Sequence, residues 1–406
     1  DAALDPSVDP AAPCVYLTGN SLGCMPRAVP VAIQRELEDW QSLGVEGHLH
    51  GRRPWFSYHK LARQSSARLV GALPGEVVCM NSLTVNLHLL MISFYRPTAQ
   101  RYRIMIEDSA FPSDSYAVAS QARLHAARAG FNPDDAVVRL RPRDGEHTLR
   151  TPDVLEAIDR HGPALALVML GGVNYLTGQW FDMPAITRAG QAAGAAVGWD
   201  LAHAAGNVPL ALHDWGVDFA AWCTYKYLNA GPGAVAGAFV HERRAADRAL
   251  PQLAGWWGND PATRFRMEPA FIPVPTADRW QLSNPPVLSL TPVVESLAIF
   301  DRVGMPALRT KSLALTAYLE FLIDRLNADA HSGPAVDILT PRDPEQRGCA
   351  LSLVVRRRPR EALAALQRHA VICDFREPNV IRAAPVPLYN SFHDVWRFSR
   401  ALTQVR

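Results

Sequence analysis

Lysine is scarce in this chain of 406 residues. Lysine and arginine together number 41, yet lysine stands only at positions 60, 226 and 311. Arginine therefore carries nearly every ordinary positive charge, and chemistry that needs a primary amine has few candidates. Net charge is lacking too: at +2 the chain gives no reason to expect a nucleic-acid partner. The densest basic run, RRRPR at 356–360, has no interleaved aromatics and follows the strand-like ALSLVV, so it reads as a solvated strand end and turn. The six cysteines form no CxxC pair and show no metal-ligand spacing with histidine. No metal is expected; free thiols in apolar surroundings and a reducing compartment are. The longest apolar run, VNLHLLMISFY, is too short to span a bilayer. The opening DAALDPSVDPAAPC lacks the basic start and apolar centre of a secretory leader. These absences point to a cytoplasmic protein with a small-molecule partner, and neither nucleic acid nor membrane.

What is present is the texture of a globular α/β chain, 48% hydrophobic and 20% charged. From about residue 60 to 290, short β-rich runs alternate with helical patterns. Strands are predicted over 101–108, 164–170, 196–200 and 218–226, and again in GAVAGAFVHE. Helices are predicted in SYAVASQARLHAARAG and MPAITRAGQAAGA. Such alternation implies βαβ units, a mostly parallel sheet, and ligands at the carboxyl ends of its strands. Beyond NPPVLSLTPVVESLAIF the texture changes to a long helix followed by strands VDILT and CALSLVV, helix REALAALQRHA and strand VICDF. The expected organisation is a large domain over 46–289 and a smaller α+β domain built from 1–45 and 290–406.

Several polar features fall on predicted strand ends. NSLTVNLHLLM presents Asn81, Ser82 and Thr84 before an apolar helical run, and free N–H groups with a positive dipole end suit a phosphate. A plain N-cap is the competing reading. FPSD places Phe111 and Asp114 on a loop, where an aromatic stacks on a flat ring or belongs to the core. Asp200 closes AVGWD; an acid there is costly unless it caps a helix or meets a cation such as a protonated pyridine nitrogen. Lys226, in CTYKYLNAGPG, comes one βαβ step later, while Lys60 and Lys311 read as solvated helix faces. Together these describe a pyridoxal phosphate site: phosphate on a helix N-terminus, Phe111 on the ring, Asp200 at the ring nitrogen, Lys226 bonded to the aldehyde carbon.

DLAHAAGNVPLALHDWGVDFAAWCTYKYLNAGPG, with YLTGNSLGCMPR and IRAAPVPLYNSFHDVW, closely resembles kynureninase from about residue 15 onward. The resemblance implies a fold type I pyridoxal-phosphate enzyme of the aminotransferase superfamily and a homodimer. It also implies hydrolysis of kynurenine or 3-hydroxykynurenine, the latter preferred. At matching positions it implies that Lys226, Tyr225 and Asp200 are catalytic, with Tyr225 a candidate acid/base. Leu83, Thr84, the loop Phe111, Pro112, Ser113 and Asp114, Gly171, His203 and Tyr225 would contact cofactor, joined across a dimer interface by Trp256 and Asn284. Arg382 would clamp the substrate α-carboxylate, and His48, Ser283 and Asn284 would face the aromatic ring. Gly171 and Gly172 depart from relatives that place a serine or threonine hydroxyl there. The alternatives are a hydrolase of the ring-methylated substrate, another superfamily aminotransferase or desulfurase, and a cofactor-binding regulator. A regulator of that kind usually adds a DNA-binding domain, which this sequence does not show.

Overall fold

The computed structural model describes residues 13–328 and 336–404. Its strands are β1 (Val15–Tyr16), β2 (Val77–Cys79), β3 (Arg103–Glu107), β4 (Val137–Leu140), β5 (Leu165–Gly171), β6 (Ala196–Asp200), β7 (Phe219–Trp222), β8 (Gly237–Val240), β9 (Val336–Ile338), β10 (Leu351–Val355), β11 (Val371–Ile372), β12 (Asp374–Arg376) and β13 (Val380–Ala383). A seven-stranded sheet runs β2-β8-β7-β6-β5-β3-β4. The five strands from β7 to β4 are parallel, and β8 and β2 add antiparallel pairings at one edge. The apolar run of β5 is continuous because both of its faces are covered. Val168 and Leu170 pack into one core with Trp199 and Trp222. Leu167 and Met169 pack into the other with Phe219 and Trp280. Gly198, inside β6, lets the Phe219 ring close against the backbone: a Cβ there would come within 2.1 Å of that ring.

The helix Val287–Val303 sends Leu290, Val293, Leu297 and Phe300 into the first of these cores, and the helix Val29–Leu43 packs on it. A third core gathers Val15 and Leu17 with Leu315, Leu319 and Ile323 of the helix Met305–Ala328, the inner face of β10 and β13, and the helix Phe392–Leu402. Its antiparallel sheet has the order β12-β13-β10-β9, and β1 pairs in parallel with β11. This second unit is fastened to the first along the loop after β5. Arg382 Nη1 donates to Tyr175 O at 2.6 Å, Trp180 N–H donates to Gln346 O at 2.9 Å, and Ser352 Oγ donates to Leu176 O. Cys349 N–H donates to Asn207 Oδ1 at 2.8 Å, and within the second unit the buried Arg309 donates to Arg347 O at 3.0 Å.

Cys79, Cys223 and Cys349 are buried, whereas Cys14 is exposed and Cys24 and Cys373 are half-buried. The basic run RRRPR follows β10 and exposes Arg356, Arg357 and Arg358. Residues 1–12, where no leader was expected, lie outside the described residues. No helix among the described residues is long and apolar enough to cross a membrane.

At the end of the sheet where β7 begins, the fully buried Glu76 meets His213 and His241. Its carboxylate accepts from Leu73 N–H (2.8 Å), Glu242 N–H (2.9 Å) and His213 Nδ1 (2.9 Å). His241 Nδ1, 3.4 Å from Glu76, accepts from Arg243 N–H. Both carboxylate oxygens are therefore engaged, and the cluster reads as an ion pair that ties the edge of the sheet together. The hydrogen bond to Glu76 raises the His213 pKa against the cost of burial, with Glu242 and Asp214 adding to the rise. Burial, then Arg243, lowers that of His241. A histidine raised in the folded state stabilises fully below its unfolded value, about 6.5, and that contribution is lost as pH rises through the folded value. His241 acts in the opposite sense. His213→Gln should therefore lower Tm at pH 6 and converge on the unmodified protein by pH 9, as scanning calorimetry would register. A pH-independent difference would assign the contact to packing alone.

Candidate active site

Three parallel strands end at one cavity of about 320 Å³. β3 delivers Glu107, β5 Gly171 and β6 Asp200, and the loop after β7 delivers Tyr225 and Lys226. The strand order reverses between β3 and β5, the place where open parallel sheets hold ligands. Two helices also begin here. Ser82 is the N-cap of Leu83–Phe94 in extended conformation, and its side chain makes no capping hydrogen bond. Pro112 opens Pro112–Ala129, with Ser113 and Asp114 in the first turn. Thr84 Oγ1 and Ser113 Oγ meet at 2.8 Å, so hydroxyls and two positive helix ends share one wall.

Lys226 Nζ donates to His203 Nε2 at 3.0 Å and lies over the ring of Phe111, the N-cap residue of the second helix, 5.8 Å from its centroid. Burial, then the nearby Lys226, Arg382 and Arg376 charges, hold the His203 pKa well below its ordinary value. The imidazole is thus neutral and free to accept. Asp200 is 7% exposed and accepts from Ala202 N–H at 2.7 Å. Burial raises its pKa. Burial, then the Asp200 charge, raises that of Asp114 further, so Asp114 holds the proton of this pair and donates it to Asp200. Glu107 accepts from Gly171 N–H at 3.1 Å, and burial pushes its pKa up to about 7. Three carboxyl groups and one free amine therefore crowd one end of the cavity, a surplus of acid that a cationic ring nitrogen would relieve. Burial, then Cys223, pushes the Tyr225 phenol up, so it stays protonated and serves as a hydrogen-bond donor at neutral pH.

Arg382, 2% exposed on β13, closes the cavity from the second unit. Its fork is held by Tyr175 O, by Asp374 and by Ser21 Oγ at 3.4 Å, and Ser21 in turn donates to Asp374 at 2.7 Å. Against the cost of burial, the Arg382 guanidinium holds the Asp374 carboxyl below the usual carboxylate range.

The cavity thus gathers Leu83, Thr84, Phe111, Ser113, Asp114, Gly171, Asp200, His203, Tyr225, Lys226 and Arg382. It does not gather Pro112, which is exposed at the start of its helix, or His48, Trp256, Ser283 or Asn284. Ser283 and Asn284 are exposed, and Trp256 is 40% exposed with its indole N–H on Arg264 O. His48 stacks on Phe56 at 4.6 Å, in an aromatic cluster with Trp55, Trp257 and Phe265. Lys60 and Lys311 are exposed, and Lys311 Nζ donates to Pro387 O at 2.7 Å. Glu107, Asn20, Ser21, Tyr175 and Arg376 line the cavity without having been singled out from the sequence. Glu107 closes a buried strand just as Asp200 does, so the reasoning applied to Asp200 would have found it. Asn20 and Ser21 lie in the quoted YLTGNSLGCMPR and carry no spacing signal of their own.

The residues fit pyridoxal phosphate. There is an uncapped helix start for the phosphate, a slot beside Phe111 for a flat ring, buried acid for the ring nitrogen and an amine for the aldehyde. A Cβ at Gly171 would stand 3.0 Å from Glu107 Oε1, so the carboxylate borders the space that a hydroxyl residue there would enter. Cys349 is buried, with its thiol pushed up to about 12 by burial, which is unlike a desulfurase nucleophile on a mobile loop.

Comparison with known proteins agrees. Residues 15–328 match the aminotransferase class-V family and residues 308–402 match the kynureninase C-terminal domain. Kynureninase from Myxococcus xanthus (strain DK1622) is 60% identical over 390 residues, covering 96% of this chain and 89% of that protein. Kynureninase from Salinispora tropica is 59% identical over 389 residues, covering 95% and 89%. Among solved structures, a cystine C–S lyase in complex with cysteine persulfide superimposes with a TM-score of 0.80 at 18% identity, covering 97% of this chain and 98% of the other. The cysteine desulfurase of Thermococcus onnurineus NA1 gives 0.76 at 16% identity, covering 96% and 94%. At such identities the likeness speaks to the fold alone, which is that of fold type I.

Proposed function

This chain belongs to the kynureninases, hydrolases that use pyridoxal phosphate, and from that premise we propose that it cleaves the Cβ–Cγ bond of L-kynurenine and 3-hydroxykynurenine with water, preferring the 3-hydroxy form. The products are L-alanine and anthranilate or 3-hydroxyanthranilate. The observation that carries the reading is the single cavity that joins the Lys226–His203 pair, buried Asp200 and buried Arg382. Bound pyridoxal phosphate supplies an electron sink for negative charge at the substrate's Cα and Cβ.

The chain's own groups do the rest. Backbone N–H groups at Leu83 and Thr84, the Thr84 and Ser113 hydroxyls and the Tyr225 phenol would hold the phosphate. Phe111 would pack against the ring, and Asp200, with Asp114 behind it, would keep the ring nitrogen protonated. Lys226 takes the proton from substrate Cα, and neutral His203 orients its amine. Arg382 pairs with the α-carboxylate through a planar fork that suits it. The phenol of Tyr225, held protonated, is placed to give a proton rather than to take one.

His48, Ser283, Asn284 and Trp256 are assigned to the substrate and phosphate ends of the same site through a second copy of the chain. Val45, Leu49, Trp256, Phe265 and Met267 are exposed large apolar side chains on the segments flanking them, which favours a homodimer. His48 Nδ1 is buried and finds no partner among the described residues, which fits a donor reserved for a ring hydroxyl. An unpaired buried group costs about 1–3 kcal/mol, so kcat/KM for unsubstituted kynurenine should be roughly ten- to hundred-fold lower. Steady-state rates on both substrates, for the unmodified protein and for His48→Phe and Asn284→Thr, test this. Equal efficiencies in the unmodified protein would refute the preference, and light scattering that finds an active monomer would refute the shared site.

A further inference from the structure

Asn20 is 1% exposed and lines the cavity, yet neither its amide nitrogen nor its amide oxygen finds a hydrogen-bond partner among the described residues. Leaving a buried donor or acceptor unpaired is costly, and native structures seldom tolerate both on one side chain. A ligand accounts for this better than packing does. The neighbourhood says which part of the ligand. Thr18 bridges in parallel to Ala384, and Ala384 N–H donates to Leu17 O at 2.8 Å, so the segment leading to Asn20 runs beside the continuation of β13. Two residues before Ala384 stands Arg382, whose guanidinium reaches Ser21 Oγ, the side chain next to Asn20. Arg382 Nε is likewise buried without a partner. Two unpaired donors from adjacent segments, Asn20 Nδ2 and Arg382 Nε, thus border one cavity and lack an acceptor, while Asn20 Oδ1 lacks a donor.

We infer that Asn20 is a substrate-positioning residue whose amide N–H₂ donates to the α-carboxylate held by Arg382. This rests on the reading given under Proposed function, since it takes an α-amino acid as the ligand. Asp374 occupies part of the Arg382 fork, so the guanidinium alone cannot surround both carboxylate oxygens. A second donor from the facing segment completes the clamp and fixes the rotation of the Cα substituents. The uncharged amide adds a donor without adding to the positive charge already present from Arg376 and Arg382.

The test uses the cofactor-loaded enzyme and equilibrium binding read by cofactor absorbance, with L-alanine as one ligand and ethylamine, which lacks the carboxylate, as the other. Asn20→Ala should weaken L-alanine binding about ten- to hundred-fold and leave ethylamine binding unchanged. Asn20→Asp, nearly isosteric, places a negative charge against the carboxylate. It should weaken L-alanine at least as much while ethylamine binds as before or more tightly. Equal losses for both ligands, or no loss for either, would overturn the assignment and leave Asn20 a structural residue. If the unmodified enzyme shows no absorbance change with L-alanine and releases none from kynurenine, the functional reading itself falls, and this one with it.

Discussion

Lys226→Ala should lower turnover by on the order of 10⁴-fold or more, the largest single effect expected in this chain. On the reading proposed above the amine has two tasks, covalent attachment of the cofactor's aldehyde and transfer of the Cα proton, and no other lysine is placed to take over either. Lys60 is exposed far along the sequence, and Lys311 is tied to Pro387 O at the surface of its helix. The variant should still fold, because Lys226 contributes one hydrogen bond, to His203, and little packing. Borohydride treatment of the unmodified, cofactor-loaded protein should leave a pyridoxyl label on the peptide that contains residue 226. Label on the peptide of Lys60 or Lys311 would contradict the assignment.

Asp200→Asn should cost roughly 10²- to 10³-fold in turnover while cofactor remains bound. Losing one member of a buried charge pair is worth about 3–5 kcal/mol, and on the reading proposed above the lost member would face the ring nitrogen. The same change should help the apoprotein. Burial raises the Asp200 pKa, so ionising it opposes folding as pH rises above its unfolded value, about 3.9, and through its folded value. An amide removes that penalty and still accepts the Asp114 proton. Thermal melts at pH 7 should therefore place apo Asp200→Asn at or above the unmodified apoprotein. A variant that melts much lower, or one that turns over near-normally, would show that Asp200 serves the fold rather than the cofactor.

Much of this architecture could be read from the sequence because parallel strands with two covered faces leave long apolar runs, as in β5, and end in polar residues that have nowhere else to go. Lys226 and Asp200 were legible for that reason. Strand limits were less so: the predicted 218–226 strand ends at Trp222, because Cys223 to Lys226 must leave the sheet to bring Lys226 into the cavity. Glu107 obeys the same rule and lies inside the predicted 101–108 strand, one residue short of its expected end. Asn20 was illegible in principle. Its importance lies in hydrogen bonds it does not make, and sequence patterns report only the partners that spacing can supply. In the proposed dimer the placement of His48, Ser283 and Asn284 would depend on how two copies meet, which no periodicity within one chain encodes.

The fastening of the second unit along the loop after β5 has a consequence for where the work of alignment is done. Arg382, Ser352 and Gln346 grip parts of that loop, and Asn207 holds the approach to β10 from the first unit. The distance between the guanidinium and the amine is therefore settled when the chain folds. Little ordering entropy is left to be lost at each encounter with substrate, so binding energy remains for the reacting bond. Loosening any of these remote grips should then appear as slower catalysis in a protein whose reacting groups are all intact.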